Sequence, residues 1–345
     1  MPGCDLWKRA LSTMSLGGLL ALALPPALHA QEPPPRPFLR KVIQLDDAQL
    51  AAMERGEVVT KMLPSPEKAE IAAFGVVKAA GTMDQLITLA RDVQKFRKVP
   101  EIPEMGRFST PARVEDLKGL THPPADIAAL KRCRPGSCDV KLGTKGLALV
   151  SGIDWSKPDA ETRAVAIFNQ AIVEYVTAYQ KGGTDAMGNV LDKKDEKSRA
   201  QEYRTLLANS PYLVEYVKEF NDYLVAYPNG KLAGADDLIY WAKDTFGLKP
   251  VVSVYHMTVY KGPKGVLLAS KLLGATHYFN AALEIMAAAP AADGKSLYLL
   301  SLYRTRIDPP TGMLSGMLMG KVRSGVETGV RANLETARKR LAGAP

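Results

Sequence analysis

The side chains best suited to chemistry lie in the last third of the chain. Lys271, His277 and Arg304 carry groups that donate hydrogen bonds to carboxylates or phosphates, and they lie on neighbouring segments with strand character. Together with His256, they could hold the polar head of a molecule whose apolar tail points into the protein. A second interpretation is structural: Lys271 and Arg304 would pair with Glu284 across strands on a solvent-exposed face, and His277 would be an ordinary strand residue. The residue types leave both interpretations open.

Motifs for catalysis are weak. The sequence has no Gly-x-Ser-x-Gly motif, no phosphate-binding loop and no clustered pair of carboxylates. His277 and Glu284 could form an acid–base pair, but they lie seven residues apart on one expected strand and would face opposite sides of the sheet. Binding is therefore a stronger hypothesis than catalysis, and we expect no cofactor.

The elements that position these side chains are strands. Five segments are rich in β-branched and aromatic residues and are joined by short turns, which is typical of an antiparallel meander. A sheet with an apolar face needs a cover, and a long helix follows the last strand. The pattern predicts an α+β fold in which a curved antiparallel sheet grips a long C-terminal helix and encloses an apolar cavity. The expected strands are 238–243, 251–260, 266–273, 276–286 and 297–306.

The expected C-terminal helix begins near Gly312 and has a stripe of small residues beside several methionines. Small residues recur every four positions, so one side of the helix lacks bulk. Close packing of the helix on the sheet would explain this stripe. A flexible gate over the cavity would explain it too, because methionine adapts to irregular apolar guests. The candidate ligand-binding residues of this helix are Gly312, Met313, Gly316, Met317 and Gly320.

The first half of the chain completes one domain that we place at residues 55–341, followed by a tail of four residues. A buried strand is expected at 71–79, with a helix directly after it, and an edge strand at 101–108. Residues 139–153 have strand character interrupted by glycines. Helices at about 156–230 form an insertion or lid between the early strands and the final sheet.

The N-terminus has the features of a secretory signal peptide over residues 1–30. Lys8 and Arg9 precede an apolar core at 16–24 that is too short to span a bilayer. Cleavage at the end of this segment would leave a Pro-rich leader and linker at 31–54, and an uncleaved anchor is the alternative. We therefore expect a periplasmic or secreted bacterial protein.

The cysteines beyond the signal peptide agree with an oxidising compartment. Cys133 and Cys138 frame the turn-forming sequence Arg-Pro-Gly-Ser, which can bring the two thiols together. A disulfide is the leading interpretation. A zinc site would need more ligands, and a redox motif would normally have two residues between the cysteines. We expect no metal.

The charge of the chain favours acidic partners. The formal net charge is +9 and the sequence pI is about 9.3, which suits anionic lipid head groups at a membrane surface or envelope polymers. Nucleic acid is excluded as the expected partner, because the protein is expected to be exported and no basic run carries interleaved aromatic residues.

The order of elements resembles the START-like, or polyketide-cyclase-like, helix-grip superfamily (SRPBCC). The resemblance covers most of residues 55–341 and depends on the opening strand and helix, the inserted helices, the meander and the long closing helix. Segments 246–254 and 269–278 are similar to those of exported bacterial proteins of this superfamily. The resemblance implies a cavity for a lipid, sterol or polyketide, with cyclisation or hydrolysis in some members. No catalytic set carries over by residue, and the helical insertion departs from the compact members.

Three functional hypotheses follow. The first is an exported carrier or sensor of an amphipathic, lipid-like or other hydrophobic small molecule held in the cavity. The second is an enzyme acting on such a ligand, which would lose turnover in His277→Ala and Arg304→Ala variants. The third is an envelope scaffold that binds partners through the inserted helices, with a filled core and an exposed apolar patch within 158–226. None of them identifies the ligand or the oligomeric state.

Overall fold

The computed structural model describes residues 35–97, 99–245 and 249–343, so the signal peptide predicted at 1–30 lies outside the described residues. Within these ranges, no helix is long and apolar enough to cross a membrane. The described helices are α1 (Arg36–Lys41), α2 (Asp47–Glu54), α3 (Met83–Arg91), α4 (Val93–Arg97), α5 (Pro124–Leu130), α6 (Thr144–Ser151), α7 (Ala160–Gly182), α8 (Arg199–Ala208), α9 (Pro211–Ala226) and α10 (Ser315–Leu341). The described strands are β1 (Val59–Leu63), β2 (Glu70–Ala80), β3 (Glu104–Arg107), β4 (Asn189–Val190), β5 (Lys197–Ser198), β6 (Ala235–Asp244), β7 (Val251–Gly262), β8 (Gly265–Ala275), β9 (Phe279–Pro290) and β10 (Ser296–Ile307).

One large antiparallel sheet organises the molecule. Its eight strands run in the order β1-β2-β10-β9-β8-β7-β6-β3, and β4 and β5 form a separate two-stranded sheet. Strands β6 to β10 make the predicted meander, and β2 pairs with β10 over its whole length. The predicted α+β class, with a curved antiparallel sheet and a long C-terminal helix, is confirmed.

Successive side chains of each strand point to opposite faces of the sheet, and both faces are covered by other elements. On β10, Leu299 belongs to an apolar cluster shared with α3, α4 and α10, whereas the next residue, Leu300, belongs to a cluster shared with α1, α2, α8 and α9. We call the first side the grip face and the second the insertion face. Helices cover both faces, so the strands are apolar on both sides and read as nearly continuous apolar runs.

The last turns of α10 hold it against the grip face. Leu334 and Val330 lie over Gly75 of β2, and a Cβ atom at Gly75 would be 2.6 Å from Leu334 Cδ1 and 2.7 Å from Val330 Cγ1. A glycine is therefore needed at this position for the close approach of the helix to the strand. Towards its N-terminus α10 is mostly exposed, and its first three turns bury no residue fully.

Gly75→Ala is expected to destabilise the protein by about 1–3 kcal/mol, because its methyl group would push α10 away from β2. Gly320→Ala is the matched control. No neighbouring atom lies within 4 Å of a Cβ at Gly320, so alanine should stabilise the helix there by up to about 1 kcal/mol. Urea unfolding followed by circular dichroism measures both. Equal effects of the two substitutions would contradict the docking of α10 at Gly75.

The inserted helices cover the face opposite α10. Val176 of α7 lies in an apolar cluster with Trp241 of β6 and Val254 of β7, and α8 and α9 continue the layer across β8, β9 and β10. The insertion therefore forms a second layer on the sheet, on the side away from α10.

Residues 139–153 contain helix α6 (Thr144–Ser151) and no strand, so the strand that the sequence predicted there was wrong. Helix α6 begins after Gly143, and its buried side chains, Leu147 and Val150, have the spacing of one helix face. Of the two glycines expected to interrupt a strand, Gly143 directly precedes α6 and Gly146 lies in its first turn. The apolar run is too short for its periodicity to distinguish the two structures.

The segment interpreted as leader and linker is folded from residue 36 onwards. Helices α1 and α2 pack on the insertion face, where Leu39 and Met53 are fully buried. Asp46 and Gln49 form a capping box at the start of α2. The proline-rich composition directly upstream masked this N-terminal signal in the sequence.

The predicted disulfide between Cys133 and Cys138 is confirmed. It closes the turn after α5, where Arg134 and Ser137 form an isolated bridge. Cys138 N donates to Asp192 O, so the closed turn is fixed to the loop between β4 and β5.

Candidate functional site

The sequence-predicted residues of the meander lie on the insertion face. His256 pairs with Lys271, Lys271 with Leu283, and Leu283 with Arg304, so these positions form one row across β7, β8, β9 and β10. Directly paired residues of an antiparallel sheet face the same side. Leu283 packs in the cluster of the insertion face, which places the whole row there, on the side of the sheet away from α10.

Lys271 and Arg304 each have their own protein partners. Lys271 Nζ donates to Thr184 Oγ1 at 2.7 Å and lies 3.9 Å from the ring centre of Tyr203. Arg304 Nη1 donates to Glu70 Oε1 at 2.5 Å. All of these side chains are buried, so neither cation faces an open site.

His277 is held apart from that row. Its Nε2 lies 2.9 Å from Asp126 Oδ2 of α5, and both residues are buried. The structure therefore does not bring Lys271, His277 and Arg304 together around one anion. The alternative pairing of Lys271 and Arg304 with Glu284 is also wrong, because Glu284 lies on the grip face.

His256 stands in a buried hydrogen-bonded chain between the sheet and α7. Its Nε2 lies 2.9 Å from Asp237 Oδ1, and its Nδ1 lies 2.8 Å from Tyr179 Oη. Burial lowers the pKa of His256. Burial raises the pKa of Asp237, but hydrogen bonds from His256, Tyr223 and Thr258 outweigh it and the pKa is lowered overall. A neutral imidazole that donates to Asp237 and accepts from Tyr179 fits both shifts, and it fixes α7 to the sheet.

The small-residue stripe of α10 is not a packing surface. A Cβ atom at Gly312, Gly316 or Gly320 would meet no atom within 4 Å. Met313 is fully exposed, and Met317 is 54% exposed. Close packing of the glycines on the sheet is therefore wrong as an explanation of the stripe.

A set of polar and aromatic residues that the sequence analysis missed lies on the grip face. We call it the grip cluster: Arg97, Tyr240, Tyr255, Glu284 and Tyr303. Arg97 ends α4, and its Nη2 lies 2.7 Å from Glu284 Oε2. Glu284 is directly opposite Tyr303 on β10. Burying an ion pair in the apolar layer of a helix-covered sheet costs desolvation free energy, and apolar residues could fill the same space. The presence of this pair therefore argues for a functional role, which makes the grip cluster the strongest candidate site.

The electrostatics of the grip cluster are fixed by burial and by the ion pair. Burial alone would lower the pKa of Arg97, but the Glu284 carboxylate outweighs it and raises that pKa, so Arg97 stays charged. Burial raises the pKa of Tyr240, Tyr255 and Tyr303, so the three phenols stay neutral. The rings of Tyr240 and Tyr255 stack with centres 5.1 Å apart.

Two further polar side chains, Asp244 and Ser253, extend the grip cluster at the end of β6 and the start of β7. Both are buried, and Asp244 Oδ2 has no hydrogen-bond partner. Ser253 Oγ has none at hydrogen-bond distance but lies close enough to Asp244 to lower its pKa. Burial raises the pKa of Asp244 to about 7. A carboxyl group with this pKa in an apolar layer is characteristic of binding and catalytic sites.

The pKa of Asp244 predicts a pH-dependent stability. Because this pKa is higher in the fold than its ordinary 3.8, folding binds a proton between about pH 4 and about pH 7, and stability is lost as the pH rises through that window. Asp244→Asn should remove this dependence of stability on pH. At about pH 8 its free energy of unfolding should exceed that of the unmodified protein by at least about 1 kcal/mol. Urea unfolding across the pH range measures the difference. The exposed Asp84→Asn is the control, and a parallel pH profile for Asp244→Asn would contradict the burial of this carboxyl group.

An apolar surface adjoins the grip cluster. Val251, Leu272, Ala275 and Ala282 form a small buried cluster, with Tyr255 and Tyr303 packed against it. Tyr255 and Tyr303 keep partial exposure. Polar and apolar groups thus lie side by side, as the head and tail of an amphiphile require.

The two best-defined pockets of the described residues lie elsewhere. One has a volume of about 350 Å³ and is lined by Val114, Glu115, Leu117, Lys118 and Asn169. The other, of about 360 Å³, lies between α5 and the start of α7 beside Trp155. Neither pocket is lined by a residue of the grip cluster.

The grip cluster could have been found in the sequence only with the strand register. Tyr240, Tyr255, Glu284 and Tyr303 lie on four different strands, and the pairing that places them side by side is not local. Nothing in the sequence marked Arg97 as a site residue, because basic residues are common in the last turn of helices. No group of three or more His, Cys, Asp or Glu side chains within the described ranges is arranged to hold a metal ion.

Comparisons with known proteins add one distant likeness. No protein-family model matches the chain, and no curated protein matches it significantly. Among the matching solved structures is a STAR-related lipid transfer protein (fragment 25–204) from Xanthomonas axonopodis, with 9% sequence identity and a TM-score of 0.37. The match covers 83% of this chain and 93% of that one. At this distance the likeness assigns neither a ligand nor a function to the chain.

Proposed function

We propose that the protein is an exported carrier or sensor that binds a hydrophobic or amphipathic small molecule on the grip face. The observation that carries this proposal is the grip cluster, a buried ion pair and three tyrosines set beside an apolar surface. The polar groups would orient the head of the ligand, and the apolar surface would take its tail.

The start of α10 supports the proposal because it is exposed and weakly packed. Its first three turns contain Gly316, Gly320 and Gly325, which weaken an isolated helix by about 1 kcal/mol each relative to alanine. None of these glycines is pressed against another element. The weakly packed part of α10 lies N-terminal to the turns that dock at Gly75, and a segment with so few buried contacts unfolds locally at a low cost in free energy.

Export is supported by the Cys133–Cys138 disulfide, because disulfides persist in oxidising compartments. The signal peptide predicted at 1–30 would direct the export of the protein. A periplasmic or secreted carrier would meet lipid-like molecules during their passage through the envelope.

A titration of the delipidated protein with a fluorescent fatty-chain probe tests this function. We expect one saturable site whose occupancy is abolished by Tyr303→Trp or Ala282→Trp, because the added bulk would fill the grip face. Val214→Trp on the exposed side of α9 is the control and should bind normally. Absence of saturable binding, or equal binding by the grip-face variants, would contradict the proposal.

Contact with an anionic membrane surface is a second activity that a specific observation favours. Met313, Leu314, Met317 and Leu318 are exposed at the start of α10, and Lys321 and Arg323 follow within the next two turns. Apolar side chains flanked by cations are suited to the interface of an anionic bilayer. The exposed large apolar side chains of the insertion, Val214, Tyr216 and Val225, belong to α9 alone and give the scaffold hypothesis less support.

Leu314→Ser combined with Met317→Ser should weaken binding to phosphatidylglycerol vesicles about tenfold or more, because two exposed apolar anchors are lost. Sedimentation with the vesicles measures the bound fraction. Val225→Ser, at a similarly exposed apolar site on α9, should leave it unchanged. Vesicle binding that survives the double substitution would exclude the start of α10 as the contact.

A further inference from the structure

Two buried polar atoms around the grip cluster, Asp244 Oδ2 and Arg97 Nε, lack a hydrogen-bond partner. Ser253 Oγ has none at hydrogen-bond distance, although Ser253 lies close enough to Asp244 to lower its pKa. Asp244 is 4% exposed and Ser253 is fully buried. Nearly all buried polar atoms of native proteins are paired, and an unpaired one costs free energy. Their occurrence together indicates a site for the polar group of a ligand.

The sheet register places Asp244 and Ser253 side by side. Asp244 of β6 is opposite Val251 of β7, and Ser253 is opposite Ala242, so the two polar residues are diagonal neighbours on the same face. Tyr240 lies four residues before Asp244 on that face. Tyr255 of β7 is directly opposite Tyr240, so both tyrosines lie on the face of the sheet that carries Asp244 and Ser253.

The charges of this region are unbalanced by one carboxylate. Glu284 lies 2.7 Å from Arg97, whereas Asp244 forms no salt bridge with any described residue and feels Arg97 only through its charge, which lowers the pKa of Asp244. A carboxylate without a salt bridge, on the same face as the rings of Tyr240 and Tyr255, favours a cation, since the carboxylate accepts a charge-assisted hydrogen bond and the ring faces attract positive charge. A carboxylate or phosphate head would meet the negative charges of Asp244 and Glu284 instead.

We propose that the grip face selects amphiphiles whose head carries a protonated amine, which donates to Asp244 Oδ2 and lies against the rings of Tyr240 and Tyr255. This inference depends on the proposed function, because it names the ligand class of the same face. The chain of the ligand would lie on the apolar cluster of Val251, Leu272, Ala275 and Ala282.

The titration of Asp244 gives the proposal a pH signature. With a pKa of about 7, Asp244 is partly protonated at neutral pH, and a bound ammonium group would favour its ionised form. Amine binding should therefore tighten as the pH rises through about 7, by about tenfold between about pH 6 and about pH 8. The groups around Asp244 do not mask this change: Arg97 stays charged, Glu284 is paired with it, and the tyrosines stay neutral.

Three ligands with the same chain test the proposal: dodecylamine, dodecanol and dodecanoate, below their micelle concentrations, with affinities from displacement of the fluorescent probe. We expect dodecylamine to bind about tenfold or more tightly than the other two at about pH 8. Asp244→Asn should lose that advantage, so that the three ligands bind with similar affinities. Asp84→Asn, an exposed carboxylate on α3, should behave as the unmodified protein does.

The outcomes separate this inference from the proposed function. Binding of dodecanol or dodecanoate as tightly as the amine, or an amine preference that survives Asp244→Asn, overturns the amine selectivity and leaves the grip face as a binding site. Saturable binding of none of the three overturns both. Asp244→Asn is expected to fold, because it removes an unfavourable buried charge, and its unfolding curve in the absence of ligand checks this.

Discussion

Glu284→Ala is expected to destabilise the protein by about 3–5 kcal/mol, the largest loss of stability that a single side-chain truncation on the grip face should produce. Arg97 and Glu284 have side-chain exposures of 12% and 7%, and their contact of 2.7 Å is the ion pair that balances each charge. Removing the carboxylate leaves a guanidinium group buried without its counter-charge. Urea unfolding at neutral pH measures the change.

The double substitution Arg97→Met with Glu284→Leu separates the cost of an unpaired charge from the value of the pair. Apolar replacements of similar size are expected to bring the stability back to within about 1 kcal/mol of the unmodified protein. Glu57→Ala, which removes the partner of Arg55 on the surface, should change stability by less than about 1 kcal/mol. A Glu284→Ala effect as small as that of Glu57→Ala would show that the grip-face ion pair is solvated.

Lys271→Met is expected to stabilise the protein at or below neutral pH, by up to about 4 kcal/mol. Burial lowers the pKa of Lys271 from its ordinary 10.5 to about 7, so the fold disfavours the protonated amine. The unfolded chain binds the extra proton between about pH 7 and about pH 10, and the stability of the unmodified protein therefore rises across that window. The advantage of methionine should shrink as the pH increases.

Unfolding free energies from about pH 6 to about pH 10 check the Lys271 prediction. Lys264→Met, at an exposed position in the turn between β7 and β8, is the control for loss of one positive charge. A constant difference between Lys271→Met and the unmodified protein across this range would mean that Lys271 keeps its ordinary pKa. The hydrogen bond to Thr184 and the contact with Tyr203 would then compensate fully for burial.

The strands of the fold could be predicted because their signals are local. Segment 251–260 is rich in β-branched residues and segment 297–306 in leucine and tyrosine, and the turn at 261–265 identifies the hairpin between β7 and β8. The long closing helix was also visible, although it begins at Ser315 rather than near Gly312. Short apolar runs, such as 139–153, carried too few residues to separate strand from helix.

The site could not be predicted in the same way, because it depends on which face of the sheet each helix covers. Lys271 and Arg304 do share a row, but Leu283 separates them and the row faces the insertion. With helices on both sides, the strands show no polar face from which an orientation could be read. The partner of Glu284 is Arg97, which lies 187 residues earlier in the chain.

The central claim is that a hydrophobic ligand occupies the grip face. It is tested most directly by photolabelling the delipidated protein with a fatty amine that carries a diazirine in its chain, followed by mass spectrometry of the peptides. We predict labels on grip-face residues of β7 to β10, such as Leu272, Ala282 and Tyr303, and on the first turns of α10. Unlabelled dodecylamine should compete for them. Labels confined to α7, α8 and α9, or labels that competitor does not reduce, would contradict the assignment of the site.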